Sequence, residues 1–165
     1  MSAIGRILLS LRAILYSLGF FALWTWAAVS VRPMDARLHW SVPSWLRYLG
    51  LPVAVLGALI AASCIAVFVS RGRGTPFPLD APREFVATGP YRYVRNPMYI
   101  GGGLVMLGAG LWLRSPSIVG LAALFILVFH FFVLVYEEPT LEDRFGSSYR
   151  QYKASVNRWL PRLPA

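Results

Sequence analysis

The sequence predicts an all-α integral membrane protein with four transmembrane helices, a cytoplasmic loop and a C-terminal amphipathic helix. Three observations lead there. Of the 165 residues, 57% are apolar and only 14% are charged, with a mean hydropathy of +0.57. Soluble domains sit near about 45–50% apolar and about 25% charged. Four uncharged stretches each approach the roughly 20 residues that a helix needs to cross a hydrocarbon core. The bases fall between those stretches, which is how membrane topology is encoded. High hydropathy excludes disorder. Despite a net charge of +9, the scatter of the bases argues against a nucleic-acid binder, which needs a basic face on a soluble fold.

The first stretch, 13–31, is too long for a cleavable signal, and no small-x-small site precedes Trp24 and Trp26. The second is 48–70. Its Cys64 is the chain's single cysteine, so no internal disulfide is possible. The third, 96–113, is short and opens near Pro97, which places its first turn among the headgroups. Arg114, Ser115 and Pro116 lead directly into the fourth, 115–136, so the last two form an antiparallel hairpin. His130 within it has no second ligand nearby, and no metal site is expected. The cytoplasmic segment 137–165 carries Leu141, Phe145, Tyr149 and Tyr152 at spacings of 4, 4 and 3, an amphipathic helix lying on the membrane. All of 1–165 reads as one domain.

With four spans, the N-terminus, the middle loop and the C-terminus share a side. That side carries 12 of the 16 bases and the other side 4, so both termini are expected in the cytoplasm. Membrane lipids are therefore expected partners.

Two segments carry chemistry. In Thr88–Gly103, Asn96 followed by Pro97 is a helix N-cap with proline at the first helical position. Such a terminus leaves N–H groups and a positive dipole end that suit a carboxylate. Arg95 sits beside it, with Tyr91, Tyr93 and Tyr99 close in sequence. The same residues also read as interfacial anchors, with Gly101–Gly103 serving close helix packing. At the end of the fourth span stand Glu137 and Glu138, acids at a helix C-terminus where anions are disfavoured by about 0.3–1 kcal/mol. They read either as functional acids or as partners of the nearby arginines.

Together these segments resemble the isoprenylcysteine carboxyl methyltransferase family, related to the phospholipid N-methyltransferases. The matching parts are Gly-Pro-Tyr-Arg-Tyr-Val-Arg-Asn-Pro-Met-Tyr-Ile-Gly from Gly89 to Gly101, and Glu137 to Tyr152, with one helical hairpin between them. The resemblance implies a membrane methyltransferase that uses S-adenosylmethionine without a Rossmann domain. It implies cofactor binding by Phe85, Val86, Tyr91, Asn96, Pro97, Met98, Tyr99, Glu137 and Glu138, and catalytic roles for Arg95, Glu137 and Tyr99. The family's frequent His before the proline is Asn96 here. Val133 stands where the eukaryotic prenylcysteine enzymes carry an arginine. The implied substrate is lipophilic or lipidated and enters from the bilayer. The expected setting is the inner membrane of a bacterium or archaeon, with the active site facing the cytoplasm.

Three other functions compete: a phospholipid (ethanolamine) N-methyltransferase, a membrane NADPH-dependent reductase, and a non-enzymatic four-helix membrane protein. A proton-coupled transporter would carry an acid within a span, and none of the four runs contains one.

Overall fold

The computed structural model describes residues 3–71 and 87–162. Phe85 and Val86, with the rest of 72–86, lie outside the described residues. Five α-helices make up most of the described chain: α1 Ala3–Val31, α2 Arg47–Arg71, α3 Pro97–Trp112, α4 Pro116–Phe132 and α5 Glu138–Ser155. Short 3-10 turns cover Arg32–Arg37, Ser44–Leu46 and Gly89–Arg92. A π turn, Val133–Glu137, carries α4 into α5. There is no strand among the described residues, in keeping with the expected all-α class.

Three runs, Ile14–Arg37, Ser44–Phe68 and Pro116–Ser155, are long and apolar enough to cross a membrane by length and composition. The third expected span is present as α3 but has only 16 residues. At about 1.5 Å per residue that is about 24 Å, short of an about 30 Å hydrocarbon core. Pro97 starts the helix late and the turn at Arg114 stops it early.

The described residues fall into two compact units, one of 3–20, 62–71, 87–97 and 131–162, the other of 21–61 and 98–130. Within the second, α2 and α3 approach backbone to backbone because glycines face each other. A Cβ on Gly57 would lie 2.6 Å from the Gly101 carbonyl oxygen, and one on Gly108 would lie 2.6 Å from that of Gly50. Aromatic rings fill the rest: Trp24 meets Phe125 edge-on at 4.7 Å, and Tyr99 stacks on Phe129 at 4.5 Å. The start of α4 is capped twice. Asp35 Oδ1 accepts the Ser117 N–H at 2.9 Å and Ser115 Oγ accepts the Ile118 N–H at 3.3 Å, so two donors that any helix leaves unpaired are satisfied.

The glycine contacts give opposite expectations at two positions. Overpacking typically costs about 1–3 kcal/mol, against a gain of about 0.8–1 kcal/mol when alanine replaces glycine in a helix. Gly108→Ala should therefore lower the denaturant midpoint. Gly120, with nothing within 4 Å of its would-be Cβ, should gain about 0.4–1 kcal/mol as Gly120→Ala. An unchanged midpoint for Gly108→Ala would show that the close approach is not needed for stability.

In the first unit, Tyr149, Tyr152 and Val156 are buried, with Leu141, Phe145 and Ala87 packed against them. The expected apolar stripe thus covers protein here. The expected amphipathic helix is α5, which bends at Gly146, where φ is +53°. Only glycine adopts that conformation without penalty.

Candidate active site

The site is built where the turn before α3 meets the end of the chain, all within the first unit. Gly89, at φ +61°, opens the 3-10 turn. Tyr91 and Tyr93 continue it by donating their N–H groups to the carbonyls of Thr88 and Pro90 at 3.3 and 3.1 Å. The buried Tyr152 hydroxyl donates to the Tyr91 carbonyl at 2.6 Å, fixing the turn to α5. Past α5 the chain folds back along the same turn. Arg95 N–H donates to Asn157 O at 2.9 Å and Arg162 N–H to Tyr93 O at 2.8 Å. The Asn96 amide donates to Arg158 O at 3.1 Å.

This strap brings three cations to one carboxylate. Glu138 is 5% exposed. Arg158 holds it in a bidentate grip, Nε to Oε1 at 2.7 Å and Nη2 to Oε2 at 3.0 Å. Arg95 Nη1 stands 3.1 Å from Oε1, and Lys153 Nζ 3.6 Å from Oε2. Lys153 is shared with Glu142, at 3.3 Å. Glu138 lies past the apolar part of its helix, which ends at Tyr136. Burial alone would raise its pKa. The Arg158 hydrogen bond and the charges of Arg95, Arg158 and Lys153 outweigh burial and hold the pKa below the ordinary value.

Arg95 is the unusual member. Its side chain is 9% exposed. Neither its Nε nor its Nη1 has a hydrogen-bond partner among the described residues, although Nη1 is within ion-pair distance of Glu138. The short separation without a hydrogen bond means that the N–H groups are not aimed at that carboxylate. Tyr149 lies against the same group. Burial first, then the Glu138 charge, push its pKa up to about 12, with Arg95 opposing. Its hydroxyl therefore stays protonated at neutral pH.

The sequence candidates are distributed as follows. Tyr91, Arg95, Asn96, Pro97, Glu137 and Glu138 all belong to this unit. Glu137 closes the π turn, half-buried, and its charge also acts on Tyr149. Met98 and Tyr99 belong to the second unit. Phe85 and Val86 lie outside the described residues. Sequence reasoning does not single out Arg158, Lys153 or the Tyr149 hydroxyl. The spacing of Tyr149 and Tyr152 marks them as one buried face, whereas Arg158 follows the helix end and looks like any flanking base.

Two clefts open on this unit. One, of about 470 Å³, is lined by Glu138, Glu142, Arg150, Lys153 and Arg158 among others. The other, of about 750 Å³, includes Thr88, Arg92, Tyr152 and Arg162. Both volumes fall in the range of small-molecule sites, and Arg95 lines neither cleft. The orphaned donors of a buried guanidinium call for an anionic group such as a carboxylate.

Known proteins bear out the family resemblance. Protein-S-isoprenylcysteine O-methyltransferase A of Arabidopsis thaliana is 30% identical over 131 residues, 76% of this chain and 62% of that protein. Its counterpart B is 28% identical over a stretch of the same length. An uncharacterized protein of Haemophilus influenzae is 44% identical over 63 residues, its entire length and 38% of this chain. Among solved structures, the eukaryotic intramembrane Ras methyltransferase ICMT superposes with a TM-score of 0.61 at 20% identity. That match covers 87% of this chain and 52% of ICMT and shows a shared fold. The chain thus spans about three fifths of the length of the plant enzymes and about half of ICMT. Residues 45–148, from the start of α2 into α5, match the model of the phospholipid methyltransferase family, and the chain belongs to that family.

Proposed function

We propose that this protein is a membrane-embedded methyltransferase that uses S-adenosylmethionine to methylate a lipophilic acceptor, a prenylcysteine-like carboxylate or related lipid arriving from the bilayer. The observation that carries this reading is the pair of orphaned donors on buried Arg95. S-adenosylmethionine, when bound, supplies an activated methyl group on a sulfonium and presents a carboxylate and an ammonium. Arg95 takes the carboxylate by charge-assisted hydrogen bonds. Glu137 faces the cationic groups, and Glu138 keeps Arg95 in place. Tyr91, Asn96 and Pro97 shape the binding turn. By the family resemblance the set extends to Phe85, Val86, Met98 and Tyr99, and the catalytic roles fall to Arg95, Glu137 and Tyr99. The chain's residues then work by alignment and exclusion of water, effects that reach about 7–11 kcal/mol in well-oriented reactions. The twelve-to-four distribution of bases supports a cytoplasmic position for this end of the protein and for both termini.

The names of the plant relatives favour a carboxylate acceptor. The family description favours a phospholipid amine. Incubating the detergent-purified protein with methyl-labelled S-adenosylmethionine, prenylated cysteines and total membrane lipids separates the two. Base-labile label on prenylcysteine is the expected result. Base-stable label on ethanolamine lipids would make the protein an N-methyltransferase, and label on neither would refute the assignment.

A further inference from the structure

Arg158 lies beyond residues 45–148, the part of the chain that the family model matches, yet it makes the tightest contact to Glu138. Its guanidinium covers both oxygens of Glu138, at 2.7 and 3.0 Å. A carboxylate offers about four lone-pair positions, and a bidentate arginine takes the two that lie side by side in its plane. Arg95 approaches the same Oε1 at 3.1 Å without aiming an N–H at it. Two guanidinium groups on one carboxylate leave a surplus positive charge, and Lys153 divides its own between Glu138 and Glu142. The surplus rests on Arg95, buried and short of acceptors. Left to itself, such a group would turn onto the nearest carboxylate, because an unmet buried donor is costly. The Arg158 guanidinium prevents it by occupying both oxygens, and the strap holds it there: the Arg95 and Asn96 donors bond the carbonyls of Asn157 and Arg158.

The geometry points to Arg158 as a positioning residue that saturates Glu138 and thereby keeps the buried Arg95 Nε and Nη1 donors unpaired for the carboxylate of the ligand. This rests on the reading that S-adenosylmethionine is that ligand. It differs from a structural role in one measurable respect. Removing a structural residue weakens every ligand alike, whereas removing Arg158 lets Arg95 close onto Glu138 and costs only those ligands that carry a carboxylate.

The test is calorimetric binding of S-adenosylmethionine and of decarboxylated S-adenosylmethionine to the full-length protein in detergent, for wild type, Arg158→Gln and Arg158→Lys. Wild type should prefer the carboxylate-bearing ligand by at least about tenfold, the value of a charged hydrogen bond. Arg158→Gln should reduce that preference to within about threefold while binding the decarboxylated ligand as wild type does, within about twofold. Arg158→Lys keeps the charge but covers one oxygen, so its preference should fall between the two. It also serves as the test should Arg158→Gln not fold. A preference unchanged in either folded variant, or equal weakening of both ligands, overturns the proposal. Wild type that binds S-adenosylmethionine without preferring its carboxylate overturns it as well. Wild type that binds neither ligand refutes the proposed function itself, and is recognisable because it needs no variant.

Discussion

Glu138→Ala is expected to destabilise the protein by about 3–5 kcal/mol, the usual consequence of removing one partner from a buried ion pair. Glu138 is 5% exposed and is the shared counter-ion of Arg95, Arg158 and Lys153. Its loss leaves one almost buried guanidinium, Arg95, with no opposite charge among its described contacts. Glu142→Ala is the control, because its contacts to Lys153 and Arg150 are partly exposed and such pairs are worth about 0–1 kcal/mol. Denaturant unfolding of the detergent-solubilised protein, followed by tryptophan fluorescence, measures both. The pH dependence has a definite sign. The folded pKa of Glu138 is lowered, so its contribution is complete above the unfolded value of about 4.3 and is lost as pH falls through the folded pKa. Wild-type stability should drop steeply below about pH 4, and Glu138→Ala should follow a shallower curve. Equal effects of the two alanine substitutions at pH 7 would mean that the cluster is an ordinary surface network.

The helices were legible in the sequence because uncharged runs of this length have few alternatives to helix. The turn before α3 was legible for a similarly local reason, since proline cannot donate and starts a helix cleanly. What escaped the sequence is long-range. Glu137 and Glu138 are indistinguishable by composition, and the π turn at Val133–Glu137 helps decide which of them turns inward. π turns are rare and cluster at functional sites, but no residue type in Val-Leu-Val-Tyr-Glu announces one. The bend at Gly146 has a visible glycine but an invisible φ. Arg158 finds Glu138 across 20 residues only because the chain beyond α5 turns back onto Tyr93–Asn96, and that return depends on three hydrogen bonds, two between backbone groups and one from the Asn96 amide. The length of α3 is an intermediate case: proline and the Arg114-Ser115-Pro116 turn mark its ends, yet 16 residues sit between a core helix and a full span.

Arg95→Gln should do the reverse of Glu138→Ala, sparing the fold while weakening the ligand. Glu138 would keep the bidentate Arg158 and the nearby Lys153, so no buried charge is left unpaired. The surplus cation and its two orphaned donors would disappear, which removes a cost rather than adding one. Unfolding stability should therefore stay within about 1 kcal/mol of wild type. Binding is another matter. A charged hydrogen bond to a ligand carboxylate in a site this buried is worth about 1.5–3 kcal/mol, so the dissociation constant for S-adenosylmethionine should rise about 10- to 150-fold. Glutamine can still donate one neutral hydrogen bond, which places the result toward the lower part of that range, and Arg95→Leu should reach the upper part. If Arg95 were only a structural partner of Glu138, its loss would register in stability and not in binding. Calorimetric titration of wild type and both variants decides. Dissociation constants equal within about threefold, in variants that fold as wild type does, would take Arg95 out of the binding site and leave its buried donors without a function.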